Sequence, residues 1–330
     1  MMEIAADLIG EPITGIERAR PGANNQVYRL STATRAVAIK FYPQHSDDCS
    51  ERLHREYTGL EFMTRHGIDV VPRPIACSPE NHCAAYEWIA GDAVTDPTAA
   101  DIDAMVALAT RLAELRNADG AAQLSPASAS CLAEDDAIEQ TRTRFDRLRD
   151  IAPSEPALDR FLMDDLGPAI GRAELALRGQ RGSGGTPVGQ RTLSPSDFGF
   201  HNALRRHDGT LVFLDFEYFG WDDATKMVAD VLLHPGSNAS SELKQQFFIR
   251  LEPIFDPGGD GSFRQRVGQL YPVFGLIWCL ILLNEFLPEK WVRRSAARGG
   301  ERNAAKSRQL RRAKTLFDSL NADGVALFTI

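Results

Sequence analysis

The chain contains 330 residues, of which 37 are basic and 45 are acidic, so its formal net charge is −8. Its 43% hydrophobic and 25% charged residues are typical of a globular protein and exclude wholesale disorder and a fibrous repeat. The acidic balance argues against a general nucleic-acid-binding protein, although it leaves room for a local basic pocket for an anionic ligand.

The termini and cysteines predict a cytoplasmic protein without a membrane, nucleic-acid or protein partner. No basic segment precedes an apolar run at the N-terminus, so no secretory signal is predicted. The five cysteines are an odd, scattered set without CxxC spacing, which argues against a disulfide framework and favours a reducing compartment. The most apolar stretch, residues 273–283, is too short to span a bilayer and predicts a buried core helix.

Residues 1–90 are predicted to form a small α+β nucleotide-binding lobe. The hydrophobic pattern predicts, in chain order, strands at 13–18, 26–30 and 36–41, a helix at 48–66 that ends at Gly67, and strands at 75–78 and 84–89.

Residues 91–330 are predicted to form a second, mainly helical lobe. Helices are expected at 98–116, 134–149 and 158–177, and a glycine-rich loop at 179–189. A hairpin follows, with Leu204 on its first strand, a turn at Asp208-Gly209 and a second strand at 211–216. From residue 224 the chain is again predicted to be helical.

The chemistry is concentrated in the segment around this hairpin. Asp197 and Asn202 lie five residues apart in one loop, and Asp215 ends a strand that is predicted to return beside it. Phosphoryl transfer from ATP needs one carboxylate near the attacking hydroxyl, and a second carboxylate and an amide oxygen that bind Mg²⁺. If Asp215 is buried, it also needs a cation, which either magnesium or Lys40 could supply.

This D-x4-N loop, short hairpin and D-F-E strand end resemble the aminoglycoside phosphotransferase and choline kinase family, which comprises small-molecule relatives of protein kinases. The resemblance implies a protein-kinase-like two-lobe α+β fold, ATP and Mg²⁺ as cofactors, Asp197 as the catalytic residue, and Asn202 and Asp215 as the metal ligands. Motifs in the family's order run from about Gly22 to Pro235.

Three upstream motifs extend the resemblance. Residues 37–40 read V-A-I-K, in which Lys40 would hold the ATP phosphates. Lys40 would also ion-pair with Glu56 of the next helix. Glu51 and Glu61 lie on the same predicted helix and are alternatives to Glu56. Residues 86–91 (YEWIAG) are similar to the family's hinge, whose backbone near Glu87 and Ile89 would bind adenine. Residues 22–28 (GANNQVY), which include Asn24, are similar to the turn that covers the phosphates.

Two departures from the family pattern are visible. Pro195 and Ser196 precede Asp197 where the family has His-Gly, and His201 is not an obvious substitute for the missing histidine. The family's later G-D-P-x-x-D-L-A pattern is distorted at residues 220–230, which keep the acids but not their spacing.

Several charged groups have two open interpretations. Glu217, Asp222 and Asp223 could form a platform for a cationic or polyol acceptor, or a solvated acidic turn. Glu285, at the end of the most apolar helix, could line the acceptor pocket. The arginine-rich segment 290–314 is either a solvated helix face or an anion-recognition surface.

We therefore expect an ATP-dependent phosphotransferase that acts on a hydroxyl of a small molecule, such as an amino sugar, amino alcohol, nucleoside or sugar intermediate. A catalytically impaired nucleotide-binding or scaffold protein of the same fold is the alternative, motivated by the missing histidine. A protein kinase is disfavoured because few residues separate Asp215 from the next helix, which leaves no room for an activation loop.

Overall fold

The structure is a computed structural model that describes residues 2–19, 26–42, 48–179, 190–291 and 301–328. Its packing divides the chain into two compact units. As far as these residues are described, the first unit contains Met1–Ser128 and Pro195–Gly220, and the second contains Ala129–Ser194, Trp221–Val292 and Gly300–Ile330. The predicted lobe boundary at residue 90 stays a prediction.

A five-stranded antiparallel sheet forms the N-terminal part of the first unit. Its strands are β1 (Gly15–Arg18), β2 (Gln26–Ser31), β3 (Ala36–Phe41), β4 (Pro74–Ser78) and β5 (Cys83–Glu87), in the order β1-β2-β3-β5-β4. The short helix α1 (Met2–Ile9) covers one face, where its Ala5 and Ile9 join the buried side chains of Leu30 and Val37. Helix α2 (Cys49–Arg65) packs against β4 and β5.

The rest of the first unit carries the loop with the predicted catalytic residues. Strands β6 (Asp92–Ala93), β8 (Ala203–Arg205) and β9 (Leu211–Phe213) form a small antiparallel sheet, and helix α3 (Ala99–Glu114) follows β6. Gly91, just before β6, lies so close to β8 that a Cβ atom there would be 2.7 Å from the carbonyl oxygen of Arg205. Only glycine permits this approach without displacing backbone.

The second unit is mainly helical. Its helices are α4 (Glu134–Ile151), α5 (Pro156–Arg160), α6 (Gly167–Gly179), α7 (Ala224–Leu233), α8 (Ser241–Phe255), α9 (Ser262–Leu282) and α10 (Arg302–Phe328). Strands β7 (Arg191–Ser194) and β10 (Gly220–Asp223) pair with each other. Helix α9 is central, because α4, α7 and α10 all pack against it.

The central helix is longer than the sequence predicted. With the 3₁₀ turn Leu283–Phe286, α9 forms a helical segment of 25 residues that is long and apolar enough to cross a membrane by length and composition. However, 67% of its most apolar window is buried within the structure, as in the core helix of a globular protein. The burial confirms the predicted core helix, whereas the observed length does not support the argument that the segment is too short to span a bilayer.

The predicted elements are otherwise confirmed within a few residues, with two corrections. The sequence did not predict α1 or the short strands β6, β7 and β10. The single helix predicted at 158–177 is instead α5, a π-helical turn at Phe161–Leu166, and α6. Residues 180–189 of the predicted glycine-rich loop lie outside the described residues.

Asp101 links α3 to the small sheet. Its carboxylate accepts hydrogen bonds from the backbone N–H of Thr98 (2.7 Å) and from the Thr98 hydroxyl (2.8 Å), which caps the helix. It also receives two guanidinium nitrogens of Arg205, at 2.8 and 2.9 Å. Although burial opposes the charge, these hydrogen bonds lower the pKa of the carboxyl group below its ordinary value.

We predict that Asp101→Asn lowers the free energy of unfolding by about 2 kcal/mol at pH 7, because it removes a helix cap and a bidentate ion pair. A carboxyl group whose pKa is lower in the folded state stabilises the fold at pH values above its unfolded-state pKa. This stabilisation is lost as the pH falls through the folded-state pKa. The difference from wild type should therefore shrink below about pH 4 in urea titrations. Asp119→Asn, at an exposed position shortly after the same helix, is the control and should change stability little.

Candidate active site

The site is built around Lys40, which is buried at the end of β3. Its backbone lies opposite Val27 of β2 and Ala84 of β5, and the residue is only 5% exposed. This burial shows that Lys40 is not a solvent-facing strand residue. A buried ammonium group needs carboxylate partners, and the structure supplies three.

The Lys40 ammonium lies 2.6 Å from Glu56 Oε2, 2.5 Å from Asp215 Oδ1 and 3.8 Å from Glu217 Oε2. Burial by itself would lower the pKa of Lys40, but the carboxylates of Asp215 and Glu56 outweigh it and raise that pKa well above its ordinary value. The predicted Lys40–Glu56 ion pair is therefore present, and Asp215 shares the same cation. Glu51 and Glu61, the alternatives to Glu56, are both exposed.

A second cation holds Glu217 from the opposite side. Arg52, one turn before Glu56 on α2, places a guanidinium nitrogen 3.4 Å from Glu217 Oε1. Glu217 is 1% exposed, and burial, followed by repulsion from Asp215, raises its pKa to about 7. Helix α2 also lies very close to the segment after Glu217, since a Cβ atom on Gly59 would be 2.5 Å from the Phe219 ring.

The loop with the predicted catalytic residue is held by local hydrogen bonds. The side-chain amide of Asn202 donates to the carbonyl oxygen of Asp197 at 2.9 Å, and Leu214, just before Asp215, donates its N–H to the Asn202 carbonyl at 2.7 Å. These contacts bring the loop and the end of the returning strand together, as the sequence predicted.

His201 contacts the predicted catalytic carboxylate directly. Its Nε2 lies 2.9 Å from Asp197 Oδ1. Because an ionised carboxylate only accepts hydrogen bonds, this ring nitrogen is the donor. The interpretation of His201 as a poor substitute for the missing family histidine needs correction, because His201 supports Asp197 from the C-terminal side of the loop.

Two residues of the site have a left-handed backbone. Ser196 and Asp215 have φ values of +67° and +65°, which few non-glycine residues adopt. Strained backbone of this kind concentrates at functional sites, where the surrounding contacts hold it in place. Here the left-handed backbone sets the direction of the Asp197 and Asp215 carboxylates, which the sequence predicts to be the catalytic residue and a metal ligand.

The residues present fit a magnesium ion. Asp215 keeps 37% of its side chain exposed, whereas Glu56 and Glu217 are almost fully buried. Because the amide nitrogen of Asn202 is engaged by Asp197, the amide oxygen is the atom suited to a cation. The carboxylate oxygens of Glu56, Asp215 and Glu217 also lie within 4.8 Å of one another, and the Lys40 ammonium occupies this cluster through its contacts with Glu56 and Asp215.

The predicted hinge follows β5. Glu87 ends that strand, its N–H donates to the Arg73 carbonyl at 2.8 Å, and its side chain lies 3.3 Å from Arg206. Ile89 is 5% exposed. An open cleft of about 420 Å³ lies beside the hinge and is lined by Glu87, Trp88, Ala90, Arg206, His207 and Asp208. Adenine binding by Glu87 and Ile89 stays a prediction, and Asn24 lies outside the described residues.

A family model described as "Phosphotransferase enzyme family" matches residues 15–260, about three quarters of the chain. The chain belongs to this phosphotransferase family. Among curated protein sequences none matches it.

Solved structures of phosphotransferases and kinases share the fold at low sequence identity. Spectinomycin phosphotransferase in its AMP-bound form has a TM-score of 0.65 and 12% identity, with 99% of this chain and 97% of that chain covered. The choline kinase LicA from Streptococcus pneumoniae has a TM-score of 0.60 and 17% identity, with 96% and 98% covered. The Plasmodium vivax ethanolamine kinase has a TM-score of 0.60 and 16% identity, with 96% and 87% covered. The predicted α+β, protein-kinase-like fold is thus confirmed.

In this phosphotransferase, the acids predicted to form an acceptor platform or a solvated turn are buried, which excludes the solvated turn, while their role in acceptor binding stays a prediction. Glu217 is held by Arg52 and Lys40 in the first unit. In the second unit, Asp222 is fully buried 3.2 Å from Lys226, and burial raises its pKa to about 6 despite that cation.

Asp223 is 1% exposed. Its carboxylate caps α7 through the Thr225 N–H and pairs with Arg266. The distorted motif at residues 220–230 thus serves packing in the second unit, where Lys226 also contacts Asp230 at 2.7 Å.

The remaining predicted groups lie in the second unit. Glu285 is 5% exposed in the turn after α9, and its role in acceptor binding stays a prediction. Part of the basic segment is structural, because Lys306 pairs with Glu155 and the Arg302 guanidinium donates to the Phe286 carbonyl. Residues 292–300, including Arg293, Arg294 and Arg298, lie outside the described residues.

We predict that Arg52→Ala lowers the free energy of unfolding by about 3 kcal/mol, because it removes a guanidinium group that lies 3.4 Å from the buried Glu217 carboxylate. Adding Glu217→Gln should recover part of that loss, since the uncompensated charge is removed. Urea titration of the two single variants and the double variant measures this coupling. The exposed Arg111–Glu114 pair is the control, and Arg111→Ala should cost under about 1 kcal/mol. Strict additivity at Arg52 and Glu217 would contradict the assignment.

Proposed function

We propose that this phosphotransferase moves the γ-phosphate of ATP to a hydroxyl group of a small molecule. The buried Lys40 ammonium carries the proposal, because it is held by Glu56 and lies 2.5 Å from Asp215 within the unit that also contains Asp197 and Asn202. A cation fixed between two carboxylates is prepared to bind phosphate oxygens without further rearrangement. AMP-bound and ADP-bound structures of similar fold support a nucleotide as the donor.

The roles of the chain's own groups follow from their positions. Lys40 would hold the ATP phosphates, and Glu56 would hold Lys40. Asp197, with 29% of its side chain exposed, would orient the acceptor hydroxyl or take its proton. His201 would fix the direction of that carboxylate through its hydrogen bond.

Asn202 and Asp215 would hold magnesium through their side-chain oxygens. When bound, the ion neutralises charge on the transferred phosphoryl group. Among the described residues, the Lys40 ammonium and the Arg52 guanidinium face three carboxylates at this site, so a divalent ion is also favoured by the local charge.

The acceptor is proposed to be an amino sugar, amino alcohol, nucleoside or sugar intermediate in the cytoplasm. The acidic residues do not narrow this range, because the platform that would have favoured a cationic acceptor is buried. The alternative of a catalytically impaired protein was motivated by the missing family histidine, and the contact of His201 with Asp197 weakens that motivation.

The proposal is tested by incubating the protein with Mg²⁺ and γ-³²P-labelled ATP and a panel of these four acceptor classes. Wild type should label one class. Asp197→Asn should lower the rate by at least about 1,000-fold while nucleotide affinity is kept, because it removes the group at the acceptor hydroxyl but no proposed phosphate contact. Lys40→Met should instead weaken nucleotide binding.

Nucleotide binding without labelling of any acceptor would favour the non-catalytic alternative. Full activity of Asp197→Asn would refute the assigned mechanism. Asp7→Asn, at an exposed aspartate of α1 that does not line the cleft beside the hinge, is the control and should keep wild-type activity.

We further predict that His201→Ala lowers kcat about tenfold and changes the KM for ATP little. The lost hydrogen bond frees the Asp197 carboxylate to rotate, which affects the chemical step rather than nucleotide binding. Steady-state kinetics with the acceptor found above separates the two constants. His54→Ala, at an exposed histidine of α2 that does not line the cleft beside the hinge, serves as control. An unchanged kcat in His201→Ala would show that the contact has no role in turnover.

A further inference from the structure

Two buried tyrosine hydroxyl groups lie behind the Lys40–Glu56 ion pair. The Tyr42 hydroxyl is 2.6 Å from Glu56 Oε2, the same oxygen that receives the Lys40 ammonium. The Tyr86 hydroxyl lies 2.8 Å from that of Tyr42. Tyr42 and Tyr86 are 2% and 5% exposed, so water does not compete for these contacts.

The chemistry of the groups fixes the direction of this chain of hydrogen bonds. Glu56 Oε2 accepts from Lys40, so it is a carboxylate oxygen that needs donors. Burial, followed by the nearby Glu56 charge, raises the pKa of Tyr42 well above its ordinary value, which keeps its phenol protonated. Tyr42 therefore donates to Glu56, and its own oxygen accepts the proton of Tyr86.

The strand pattern places the three side chains on one face of the sheet. Lys40 and Tyr42 are two residues apart along β3 and its extension, so they point to the same side. Tyr86 lies on the neighbouring strand β5 opposite Ala38, which shares that face with Lys40. The sheet thus presents the ammonium and both phenols to Glu56 of α2.

Glu56 depends on these donors. Burial raises the pKa of its carboxyl group, which means that the fold disfavours its charge unless partners compensate. Asp215 is the other close partner of Lys40, but it is also a proposed magnesium ligand. Glu56 is therefore the carboxylate whose task is only to hold Lys40, and the Tyr42 hydroxyl is the second donor that holds Glu56.

We propose that Tyr42 and Tyr86 are positioning residues for nucleotide binding. Tyr86 orients the Tyr42 hydroxyl, Tyr42 fixes the Glu56 carboxylate, and Glu56 in turn fixes the Lys40 ammonium at the place where it meets the nucleotide phosphates. This inference rests on the proposed role of Lys40 in binding ATP.

The test is the dissociation constant of the Mg²⁺ complex of AMP-PNP, measured by calorimetry, which needs no knowledge of the acceptor. Tyr42→Phe removes only the hydroxyl and keeps the ring, whose centre lies 5.1 Å from the Lys40 ammonium. It should weaken binding about tenfold, as expected for a lost hydrogen bond to a charged group. Tyr86→Phe should weaken it about threefold, because its effect passes through Tyr42.

Two double variants distinguish positioning from general stabilisation. Tyr86→Phe added to Tyr42→Phe should cause no further loss of affinity, since the link is already broken. Tyr42→Phe added to Glu56→Gln should likewise have no further effect. Tyr57→Phe, the same change at the residue next to Glu56, is the control and should bind like wild type. Thermal melting curves verify that every variant is folded at the temperature of the titration.

The possible outcomes separate this inference from the function on which it rests. If wild type does not bind Mg²⁺–AMP-PNP, the proposed nucleotide site fails and the inference fails with it. If wild type binds and Tyr42→Phe binds equally well, only the inference is overturned. If Tyr42→Phe does not fold, Tyr86→Phe takes its place in the test. An unchanged affinity of Tyr86→Phe for Mg²⁺–AMP-PNP would then contradict the inference. A fully additive loss of affinity when Tyr86→Phe is combined with Glu56→Gln would contradict it as well.

Discussion

The ammonium of Lys40 is buried among three carboxylates, and the elements of the first unit meet at this point. Strand β3 supplies the lysine, α2 supplies Glu56, and the segment after β9 supplies Asp215 and Glu217. A charge removed from water is tolerated only with such partners. Each element therefore has a defined position relative to the others inside this unit, and the loop with Asp197 is attached to the same segment through Asn202 and Leu214.

The same rule explains how the chain uses its surplus of acids. Three of the buried carboxylates described above have basic partners within their own units: Arg52 for Glu217, Lys226 for Asp222 and Arg266 for Asp223. In the second unit these pairs hold α7 and α9 to their surroundings. In the first unit the charges are less balanced, because the Lys40 ammonium is shared by three carboxylates. Such an imbalance costs stability and is typical of a site prepared for a further cation and an anionic ligand.

The sequence predicted the parts of the site that motifs encode, namely Lys40, Glu56, Asp197, Asn202 and Asp215. Tyr42 and Arg52 escaped the prediction, although the signal was local: Tyr42 shares a strand face with Lys40, and Arg52 shares a helix face with Glu56. The Asp223–Arg266 pair could not be predicted, because its partners are 43 residues apart and meet only through tertiary packing. For the same reason the acids Glu217, Asp222 and Asp223 suggested a solvated turn. The short apolar helix α1 was not distinguished from an irregular N-terminus.

Helix α9 has a consequence for the synthesis of the chain. Its apolar surface is covered in part by α10, which contacts it so closely that a Cβ atom on Gly275 would be 2.2 Å from Leu320. Because translation proceeds from the N-terminus, α9 leaves the ribosome before α10 exists. During that interval the nascent chain displays an uncovered segment with the length and hydropathy of a membrane span. Docking of α10 then covers part of this apolar surface, so the burial of α9 is completed only after α10 has been synthesised.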